Sequence, residues 1–577
     1  MSRTRRRVVF AALVAATVTI LAAWLAELLA AGGFVLASAL LVLTFAVKVA
    51  WVAINFWNAV IGFVLLRRGR ARLEGVVAAP PAPVRDRIAV AMTVCNENVA
   101  HVIARLRSTK QSLDAGGHGG HFDFFLLSDS SDPAIAAAEA AAIAKWQAEL
   151  GGAKNLIYRR REQNTGAQHG NLYDFCRRFG DGYDVMIVLD ADSLMTGAAI
   201  CQLVQIMQAN PRIGMLQSVN SGILPQSLFA RIFEFGHRHF MRCWMAGAVW
   251  WQGDRGQYRG HNAAIRVDAY AKNCSLAELP GPAPFGGVMF CHDQIESLLM
   301  HRAGFEVREL PMEHGSFEGM PPTLIDFVTR YCRWLQGNFT NLRMLRLGGL
   351  AAMDRYHLIG VAHRFMTWPA VVAFVALAAF LSLRWPSGAP FSVPSALALY
   401  ATYFVIYFTP KLLGVLDSAL RAPKTYGGVA RLAAGTSLDV VLTVLFLPVT
   451  MLTATWFATG LPFGRALAWD SQKREGYRLS WSAAAQTLWP HTAIGLGLLA
   501  TLLVAAPAAV PWFLPFCAGL VVAIPFAAMT SSARLNRLAA RWKLFALPED
   551  IATPPEIASV LVLEAASGES GGTEIIS

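Results

Sequence analysis

Seven apolar segments dominate the chain, and they are grouped toward its two ends. Each has the length of a membrane-spanning helix, which needs about 20 apolar residues to cross a hydrocarbon layer of roughly 30 Å. They cover residues 8–31, 34–66, 358–383, 395–416, 438–457, 492–508 and 512–530. With 577 residues of which 55% are hydrophobic, the chain is more apolar than soluble proteins are. The sequence therefore predicts a membrane protein with a polar domain between the two groups.

Arginine clusters indicate the orientation of this membrane protein. Arg3 and residues 5–7 precede the first segment, and residues 67–72 contain four more arginines after the second. Basic residues in short loops stay on the cytosolic side, so we expect the polar domain and both chain ends there. The second segment follows almost at once, so we interpret the first as an uncleaved anchor and not as a signal peptide. The net charge of +12 follows from this loop bias, and we expect no nucleic-acid partner.

The fifth apolar segment conflicts with this orientation. If it crossed the membrane, the basic loop 462–486 and the basic C-terminal region would both lie outside. Pro448 stands in its middle, where proline breaks a helix, so we predict a re-entrant or interfacial hairpin near 436–459. The predicted organisation is two transmembrane helices in 1–76, a cytosolic domain in 77–345, a transmembrane bundle in 346–545 and a disordered cytosolic tail in 546–577.

Strands alternate with helices in the polar domain. Residues 87–94, 122–127, 157–158 and 185–189 have the β-branched, apolar pattern of buried strands, with helical stretches between them. This alternation predicts a doubly wound, mostly parallel sheet. Further along, residues 227–251 combine Phe and Trp with arginines, which is typical either of core or of a pair of amphipathic helices at the membrane interface. We favour the interface.

Acidic residues follow three of these predicted strands. Glu97 and Asp129 come after the first two, and Asp190 with Asp192 follows the strand at 185–189. Ligands of open α/β sheets bind beyond the carboxyl ends of the strands. An Asp-x-Asp pair there suits Mg²⁺ or Mn²⁺. The alternative for each acid is a helix N-cap, but three successive strands favour a shared site.

Two later segments carry further candidates. Asp293 stands at or near the start of a helix, where it is either a structural cap or a base that faces the cleft. Arg330, Arg333 and Trp334 fall on one face of a helix just before the third apolar segment. They are either anchors at the membrane surface, where Arg and Trp are common, or part of the site.

These motifs together resemble the inverting glycosyltransferases of family two. The resemblance runs from about residue 85 to 550 and rests on V-C-N-E-N, L-L-S-D-S, V-L-D-A-D-S, G-H-N-A-A-I-R, H-D-Q-I-E and Y-C-R-W-L-Q-G-N. It is strongest to the membrane synthases of polysaccharides, such as cellulose and hyaluronan, and among them to the synthases of osmoregulated periplasmic glucans. The resemblance implies a GT-A type catalytic domain.

The implied reaction polymerises glucose from UDP-glucose into a β-1,2-linked glucan backbone and passes it across the bacterial inner membrane. The implied partners are UDP-glucose, the growing glucan, membrane lipids and a periplasmic glucan-modifying protein. The resemblance assigns Glu97, Asp129, Asp190, Asn171 and Arg333 to the donor, Asp192 with Asp190 to Mg²⁺ or Mn²⁺, Asp293 to the catalytic base, and Trp334, Arg330, His261 and Asn262 to the acceptor glucan.

Two positions depart from the family pattern. Arg330 stands where many relatives have Gln, and the segment 168–171 (Q-H-G-N) lacks a Lys that many relatives have before G-N. A diphosphate contact by that Lys is therefore in doubt, and the arginines at 159–161 are candidates to replace it. Lys48, inside the second apolar segment, is a candidate for the path of the glucan, because ionisable residues at that depth are usually functional.

Two other functions fit parts of the pattern. One is a family-two synthase of a different sugar or linkage. The other is a transporter with a cytosolic domain that senses nucleotide sugars. A sensor needs a donor site but no base, so Asp293 and the Arg333-Trp334 pair argue against it.

Overall fold

The computed structural model describes residues 1–69, 82–223, 225–385, 391–467 and 477–566. Two long helices come first, α1 (Arg3–Ala30) and α2 (Leu36–Arg67). The domain that follows contains β1 (Ile88–Val94), α3 (Val99–Ala115), β2 (Phe122–Ser128), α4 (Pro133–Glu149), β3 (Leu156–Arg160), α5 (Ala167–Phe179), β4 (Val185–Asp190), β5 (Leu194–Met195), α6 (Gly197–Ala209), β6 (Ile213–Gly222), α7 (Leu228–Gln252), β7 (Ala263–Arg266), α8 (Val267–Asn273), α9 (His292–Arg302), β8 (Glu306–Glu318) and α10 (Leu324–Asn341).

The remaining helices are α11 (Ala352–Arg384), α12 (Val393–Arg421), α13 (Val429–Gly460), α14 (Trp481–Ala505), α15 (Val510–Val521), α16 (Ala523–Thr530), α17 (Ala533–Arg541), α18 (Pro548–Ile551) and α19 (Pro555–Ala566). The middle of the basic loop predicted at 462–486 and the end of the predicted tail lie outside the described residues.

The domain is built on an eight-stranded sheet in the order β3-β2-β1-β4-β7-β6-β8-β5. The first four of these strands are parallel, β6 pairs in parallel with β8, and β7 and β5 are antiparallel to their neighbours. The prediction of a mostly parallel, doubly wound sheet is confirmed. Apolar side chains of β1 and β4 lie on both faces of the sheet and are buried under helices, as expected of parallel strands. The carboxyl ends of β1, β2 and β4 therefore meet at one edge.

Six helices of the described chain are long and apolar enough to cross a membrane, and one bent pair makes a seventh candidate. The six are α1, α2, α11, α12, the segment Val429–Phe463 that contains α13, and α14; the pair is Pro507–Val521 with Ala523–Thr530, bent by 51°. All seven apolar segments of the sequence are thus helical. These helices identify a membrane protein.

Helix α7 connects the domain to these apolar helices through glycine contacts. The sequence suggested an interfacial helix pair at 227–251, but the structure has one helix, largely buried, that packs against α2 and α12. A Cβ atom on Gly247 would lie 1.9 Å from the carbonyl oxygen of Asn58, and one on Gly62 would lie 1.8 Å from that of Cys243. Only glycine permits helix backbones to approach this closely.

The predicted hairpin near 436–459 is wrong, because α13 is one continuous helix through Pro448. Proline frees a carbonyl in the preceding turn, and apolar helices tolerate this where neighbours shield it. The carbonyl that loses its N–H partner is that of Val444, and Gly519 of α15 packs against the same turn, next to the Leu445 carbonyl and the Pro448 ring. The two ends of α13 both reach the domain, since Leu432 packs with Phe235 of α7 and Leu461 packs with Leu335 of α10.

The prediction of a disordered tail from residue 546 is also wrong for the part that the structure describes. Helix α19 packs Ile557 and Val560, three residues apart on one face, against Ala104 of α3 and Phe317 of β8. Helix α18 is fixed by Asp550, whose carboxylate pairs with Arg231 at 2.5 Å. The C-terminal segment is therefore a strap across the domain.

The glycine contacts of α7 predict a selective loss of stability. Gly247→Ala places a methyl group against the backbone of α2, and overpacking of this kind costs about 1–3 kcal/mol. We expect a lower unfolding temperature in detergent. Gly497→Ala on α14 is the matched control, because a Cβ atom there meets nothing within 4 Å and alanine is the better helix former. Equal unfolding temperatures for the two variants would contradict the close packing of α7.

Candidate active site

The Asp190-Asp192 pair lies in a tight turn after β4. The Ser193 hydroxyl accepts a hydrogen bond from the Asp190 N–H at 3.1 Å, and the Ser193 N–H donates to the Asp190 carbonyl at 3.0 Å. Both carboxylates are half-buried. Gly319 leaves space beside Asp192, since a Cβ atom there would lie 2.8 Å from Oδ2. Two carboxylates next to such a space fit a divalent cation with oxygen ligands.

None of the predicted acids caps a helix. The side-chain caps of α3, α4 and α6 are Asn98, Asp132 and Thr196. The N-cap position of α9 is Cys291, and Asp293 stands inside the first turn. A Cβ atom on Gly260 would lie 3.8 Å from the Cβ of Asp293. The N-cap interpretation therefore does not apply to these carboxylates.

His261 lies between the Asp pair and the proposed base. Its Nε2 is 2.9 Å from Oε2 of Glu318, and its Nδ1 is 3.5 Å from the Ser193 hydroxyl. Burial opposes its charge, but the carboxylates of Asp190 and Glu318 raise the pKa of His261 to about 10. Conversely, burial would raise the pKa of Glu318, yet His261 lowers it to about 2. The imidazolium thus offsets part of the negative charge at this edge of the sheet.

Burial also affects the proposed base. It raises the pKa of Asp293, while the neighbouring His292 and, more weakly, His261 oppose the shift. A carboxylate in this setting is a stronger base than one in water.

Helix α10 brings the Arg and Trp residues next to this base. The sulfur of Cys291, two residues before Asp293, lies 3.8 Å from the Trp334 carbonyl. A Cβ atom on Gly337 would lie 2.6 Å from the same sulfur. The Arg330 guanidinium stacks 4.7 Å above the Trp334 ring and lies close enough to Glu318 to help lower the pKa of that carboxyl. The structure thus assembles Asp190, Asp192, His261, Asp293, Arg330 and Trp334 at one edge of the sheet, and Arg333 lies on the same helix.

The loops after β1 and β2 form the adjacent part of the cleft. The Asn96 N–H donates to the Ser130 hydroxyl at 2.8 Å. Glu97 is half-buried in the first loop. Asp129 is almost fully buried and binds Arg161 through both carboxylate oxygens, at 2.7 and 2.5 Å. Asp129 therefore fixes the position of the Arg161 side chain in this part of the cleft.

The arginines at 159–161 bind groups of the domain itself. Arg159 donates to the Asn171 carbonyl at 3.0 Å, and Arg160 donates to the Ser130 carbonyl at 3.0 Å. Arg161 binds Asp129. All three side chains hold loops of the domain together, which gives them a structural role, and the diphosphate contact stays a prediction.

Two predicted contact residues are structural. Asn171 is buried, and its Nδ2 donates to the Leu127 carbonyl at 3.0 Å. Asn262 is fully buried, and its Nδ2 donates to the Ser316 hydroxyl and the Phe317 carbonyl. Both amide nitrogens donate to backbone or hydroxyl groups near strand ends. These contacts give each residue a structural role, and their assignments to the donor and the acceptor stay predictions.

The sequence reasoning missed Glu318 and Gln168. Glu318 ends β8, so the pattern of an acid at a strand end would have found it had β8 been recognised. Gln168 Nε2 donates to Asp190 Oδ1 at 2.6 Å, which no local pattern indicates.

A second group of possible metal ligands lies below the cleft. One ligand atom from each of His169, His292 and Glu296 lies within 4.8 Å of the others. However, Nδ1 of each histidine is 2.7 or 2.9 Å from the same Glu296 oxygen. These are hydrogen-bond distances, so we interpret the group as a hydrogen-bonded cluster and assign the cation to the Asp pair.

Comparisons with known proteins show which families the chain is similar to. Residues 185–412 match the model of glycosyl transferase family group 2. Curated proteins named glucans biosynthesis glucosyltransferase H, from Ralstonia nicotianae and Escherichia coli K12, are each 36% identical to the chain, over 96% and 91% of its length. The chain spans 66% and 64% of the lengths of these relatives. Among solved structures, a mannosyltransferase from Pyrobaculum calidifontis in complex with GDP-Man and Mn²⁺ is 17% identical, with a TM-score of 0.42, covering 66% of this chain and 99% of its own.

The space at Gly319 predicts how cation binding depends on this residue. Gly319→Ala crowds Asp192 Oδ2, so we expect Mn²⁺ to bind at least several-fold more weakly, as measured by electron paramagnetic resonance titration. Asp192→Asn should weaken binding further because it removes a charged ligand. Gly348→Ala is the control, since its Cβ atom meets nothing within 4 Å. If both site variants bound Mn²⁺ with unchanged affinity, the cation would not bind at the Asp190-Asp192 pair.

Proposed function

Because the chain belongs to the glycosyl transferases of family group 2, we propose that it transfers glucose from UDP-glucose to a growing glucan and passes the product across the inner membrane. The proposed product is the β-1,2-linked backbone of osmoregulated periplasmic glucans. The observation that carries the proposal is the common position of the Asp190-Asp192 pair and Asp293 at one sheet edge, next to α10 and the apolar helices. The glucosyl group follows the names of the relatives, whereas the UDP donor and the linkage rest on the family resemblance alone.

The proposed reaction is a single displacement. Asp293 takes the proton from an acceptor hydroxyl as its oxygen forms a bond to the anomeric carbon, and the bond from that carbon to the diphosphate breaks. An α-linked donor then gives a β-linked product, and UDP leaves. Asp192 and Asp190 would hold Mg²⁺ or Mn²⁺, which supplies charge compensation for the diphosphate. His261 and Arg333 contribute positive charge near the same leaving group.

The donor and acceptor contacts follow from the two sides of the cleft. We assign Glu97, Asp190 and Arg333 to the UDP-sugar, with Asp129 acting through Arg161 on the shape of the nucleotide pocket. Trp334 and Arg330 are assigned to the acceptor, because an aromatic ring next to a guanidinium offers both a stacking surface and hydrogen-bond donors to a sugar.

A series of aromatic contacts leads from α10 into the apolar helices. The Tyr331 ring packs 4.8 Å from Phe365 of α11, and its hydroxyl contacts the Trp368 indole. The ammonium of Lys48 lies 4.2 Å from the Trp368 ring and 5.7 Å from the Tyr407 ring. These residues support a passage for the glucan, since aromatic faces with donors between them suit sugar rings.

A cavity lies at the end of this series. It has a volume of about 620 Å³, and Lys48, Tyr403 and Tyr407 are among its lining residues. A cavity of this size can hold a small ligand, and its lining is mostly apolar, with Lys48 and the tyrosines as polar groups.

The contacts of α13 support the proposed orientation. If α13 lies along the membrane face of the domain, then α1, α2, α11, α12, α14 and the bent pair are six spans. Both chain ends and the domain then lie on the cytosolic side, together with the arginine clusters. Hydrogen bonds hold the loop after α13 on the domain side, from the Leu467 N–H to Gln336 at 2.8 Å and from the Tyr477 hydroxyl to Asp326 at 3.0 Å.

Two alternatives remain open to test. A family-two synthase of another sugar or linkage would use the same residues and differs only in its substrate. A transporter with a nucleotide-sugar sensor is disfavoured by the half-buried Asp293 next to Arg330 and Trp334, because a sensor needs no base or acceptor site.

The base assignment predicts the effect of one substitution. Asp293→Asn removes the proton acceptor but keeps the shape of the side chain, so we expect UDP release and polymer synthesis to fall by about 100-fold or more, with binding of UDP-glucose retained. The assay uses purified protein in vesicles with UDP-glucose and Mg²⁺, and linkage-specific glucanases identify the product. Full activity of this variant would exclude Asp293 as the base.

The same assay has an expected pH dependence. Only the ionised carboxylate accepts a proton, so kcat/KM should fall as the pH drops through the pKa of Asp293. Because burial raises that pKa, the midpoint should lie above the ordinary value of about 3.9.

The passage predicts a separate effect of Lys48. Lys48→Met removes the donor between Trp368 and Tyr407, so we expect less polymer inside inverted vesicles for each UDP released. Lys48→Arg keeps a cation and is the matched control. If both variants export as much polymer per UDP as the wild type, the glucan takes another route.

A further inference from the structure

The first turn of α5 contains the departure from the family pattern, Gln168 and His169. Gly166 caps this turn in a left-handed conformation with φ of 72°. The side chains of Gln168 and His169 contact different parts of the site. Gln168 lies toward the Asp pair and His169 toward α9, so one turn of helix contacts both the donor carboxylate and the helix that carries the base.

Gln168 binds the first carboxylate of the Asp pair. Its Nε2 donates to Asp190 Oδ1 at 2.6 Å and to the Thr93 hydroxyl at 3.1 Å. A neutral amide fixes the rotamer of Asp190 without forming an ion pair, so the charge of that carboxylate is kept.

His169 binds Glu296 in a buried cluster. Its Nδ1 lies 2.7 Å from Glu296 Oε1, which also accepts from the Tyr270 hydroxyl at 2.6 Å and lies 2.9 Å from Nδ1 of His292. Glu296 is fully buried, and a buried carboxylate is costly unless it is paired and hydrogen-bonded. Burial opposes ionisation, but His292 and His169 hold the pKa of Glu296 well below its ordinary range.

Glu296 stands three residues after Asp293, about one turn further along the same face of α9. The N-cap residue of this helix, Cys291, makes no side-chain capping hydrogen bond. The start of α9 therefore depends on tertiary contacts, and three of them converge on Glu296 Oε1. A shift of Glu296 moves Asp293 with it, because both belong to the start of the same helix.

We propose that His169 is a positioning residue for Asp293, which it holds through Glu296, and that Gln168 beside it holds Asp190. One turn of α5 thereby sets the distance between the donor carboxylate and the base. This inference rests on the proposed function, since it assumes that Asp293 is the base.

Four variants of the full-length protein test the coupling. His169→Leu removes the hydrogen bond, and His169→Asn restores it, because Asn Nδ2 takes the place of His Nδ1. Glu296→Gln and the double variant His169→Leu/Glu296→Gln test whether His169 acts through Glu296. His121→Leu is the control for a His→Leu change, since His121 is exposed.

The first readout is hydrogen exchange of the α9 amides, followed by mass spectrometry. We expect faster exchange over 292–302 in His169→Leu and wild-type exchange in His169→Asn and His121→Leu. The second readout is steady-state transfer from UDP-glucose. A misplacement of the base by about 1 Å can cost on the order of 100-fold, so kcat should fall by about 10- to 100-fold in His169→Leu, with the KM for UDP-glucose unchanged, and recover in His169→Asn. The double variant should be no slower than the slower single variant.

Three results would overturn the proposal. The first is that His169→Leu changes neither the hydrogen exchange of α9 nor kcat, and the second is that His169→Asn restores neither of them. The third is that the wild-type protein binds one equivalent of a metal ion that His169→Leu loses, because His169 would then be a metal ligand. If wild-type protein transferred no sugar from any nucleotide sugar, the proposed function would fail, while the exchange measurement would still decide whether His169 holds α9.

Discussion

The site depends on keeping several carboxylates ionised side by side in a half-buried cleft. Asp190, Asp192, Asp293 and Glu318 meet at one edge of the sheet, with Glu296 directly beneath. Like charges that are desolvated together raise one another's pKa values, and protonated carboxyls neither bind cations nor accept protons. In this domain, positively charged side chains lie next to these carboxylates. His261 is held by Glu318, His292 by Glu296, and Arg330 lies near Glu318. The neutral contact from Gln168 to Asp190 fits the same requirement, because it fixes a carboxylate without consuming its charge.

These charged groups come from elements that are also tied to the membrane. Helix α10 carries Arg330 and Trp334 on the side of the cleft and packs Tyr331 against α11 on the other. Helix α7 lies under β8 and contacts α2 and α12 at glycine positions. The C-terminal segment binds α7 through Asp550 and α3 through Ile557. A sheet edge anchored from three directions cannot turn freely against the apolar helices. Trp334 at the cleft and Tyr331 at the apolar helices are therefore held in fixed relative positions, as the proposed stepwise extension of a polymer would require.

Patterns with a regular period could be predicted, and contacts between distant segments could not. The strand at 185–189, the acids that follow three strands and the helical face of Arg330 and Trp334 are local signals, and the structure brings these residues together. The backbone contacts of Asn171 and Asn262 could not be predicted, because an amide next to a glycine looks the same whether it meets a ligand or a backbone carbonyl. The ion pair of Arg161 could not be predicted for a related reason, since its partner Asp129 is 32 residues away in the chain. The tail was judged by its Gly- and Ser-rich end, although Ile557 and Val560 have helical spacing.

At α13 the distribution of basic residues was interpreted through the wrong structural element, a hairpin. The distribution of basic residues required that one apolar segment should not cross, and Pro448 suggested a hairpin. The helix nevertheless continues through Pro448, and Gly519 of α15 packs against this turn. Both ends of the helix contact the domain, through Leu432 and Leu461, and these contacts would satisfy the charge distribution if α13 ran along the membrane surface as proposed. Loop charge reports only the side of the membrane on which a loop lies. It does not report whether the preceding helix turns back or runs along the surface, which under this proposal depends on contacts with α7 and α10, far earlier in the sequence.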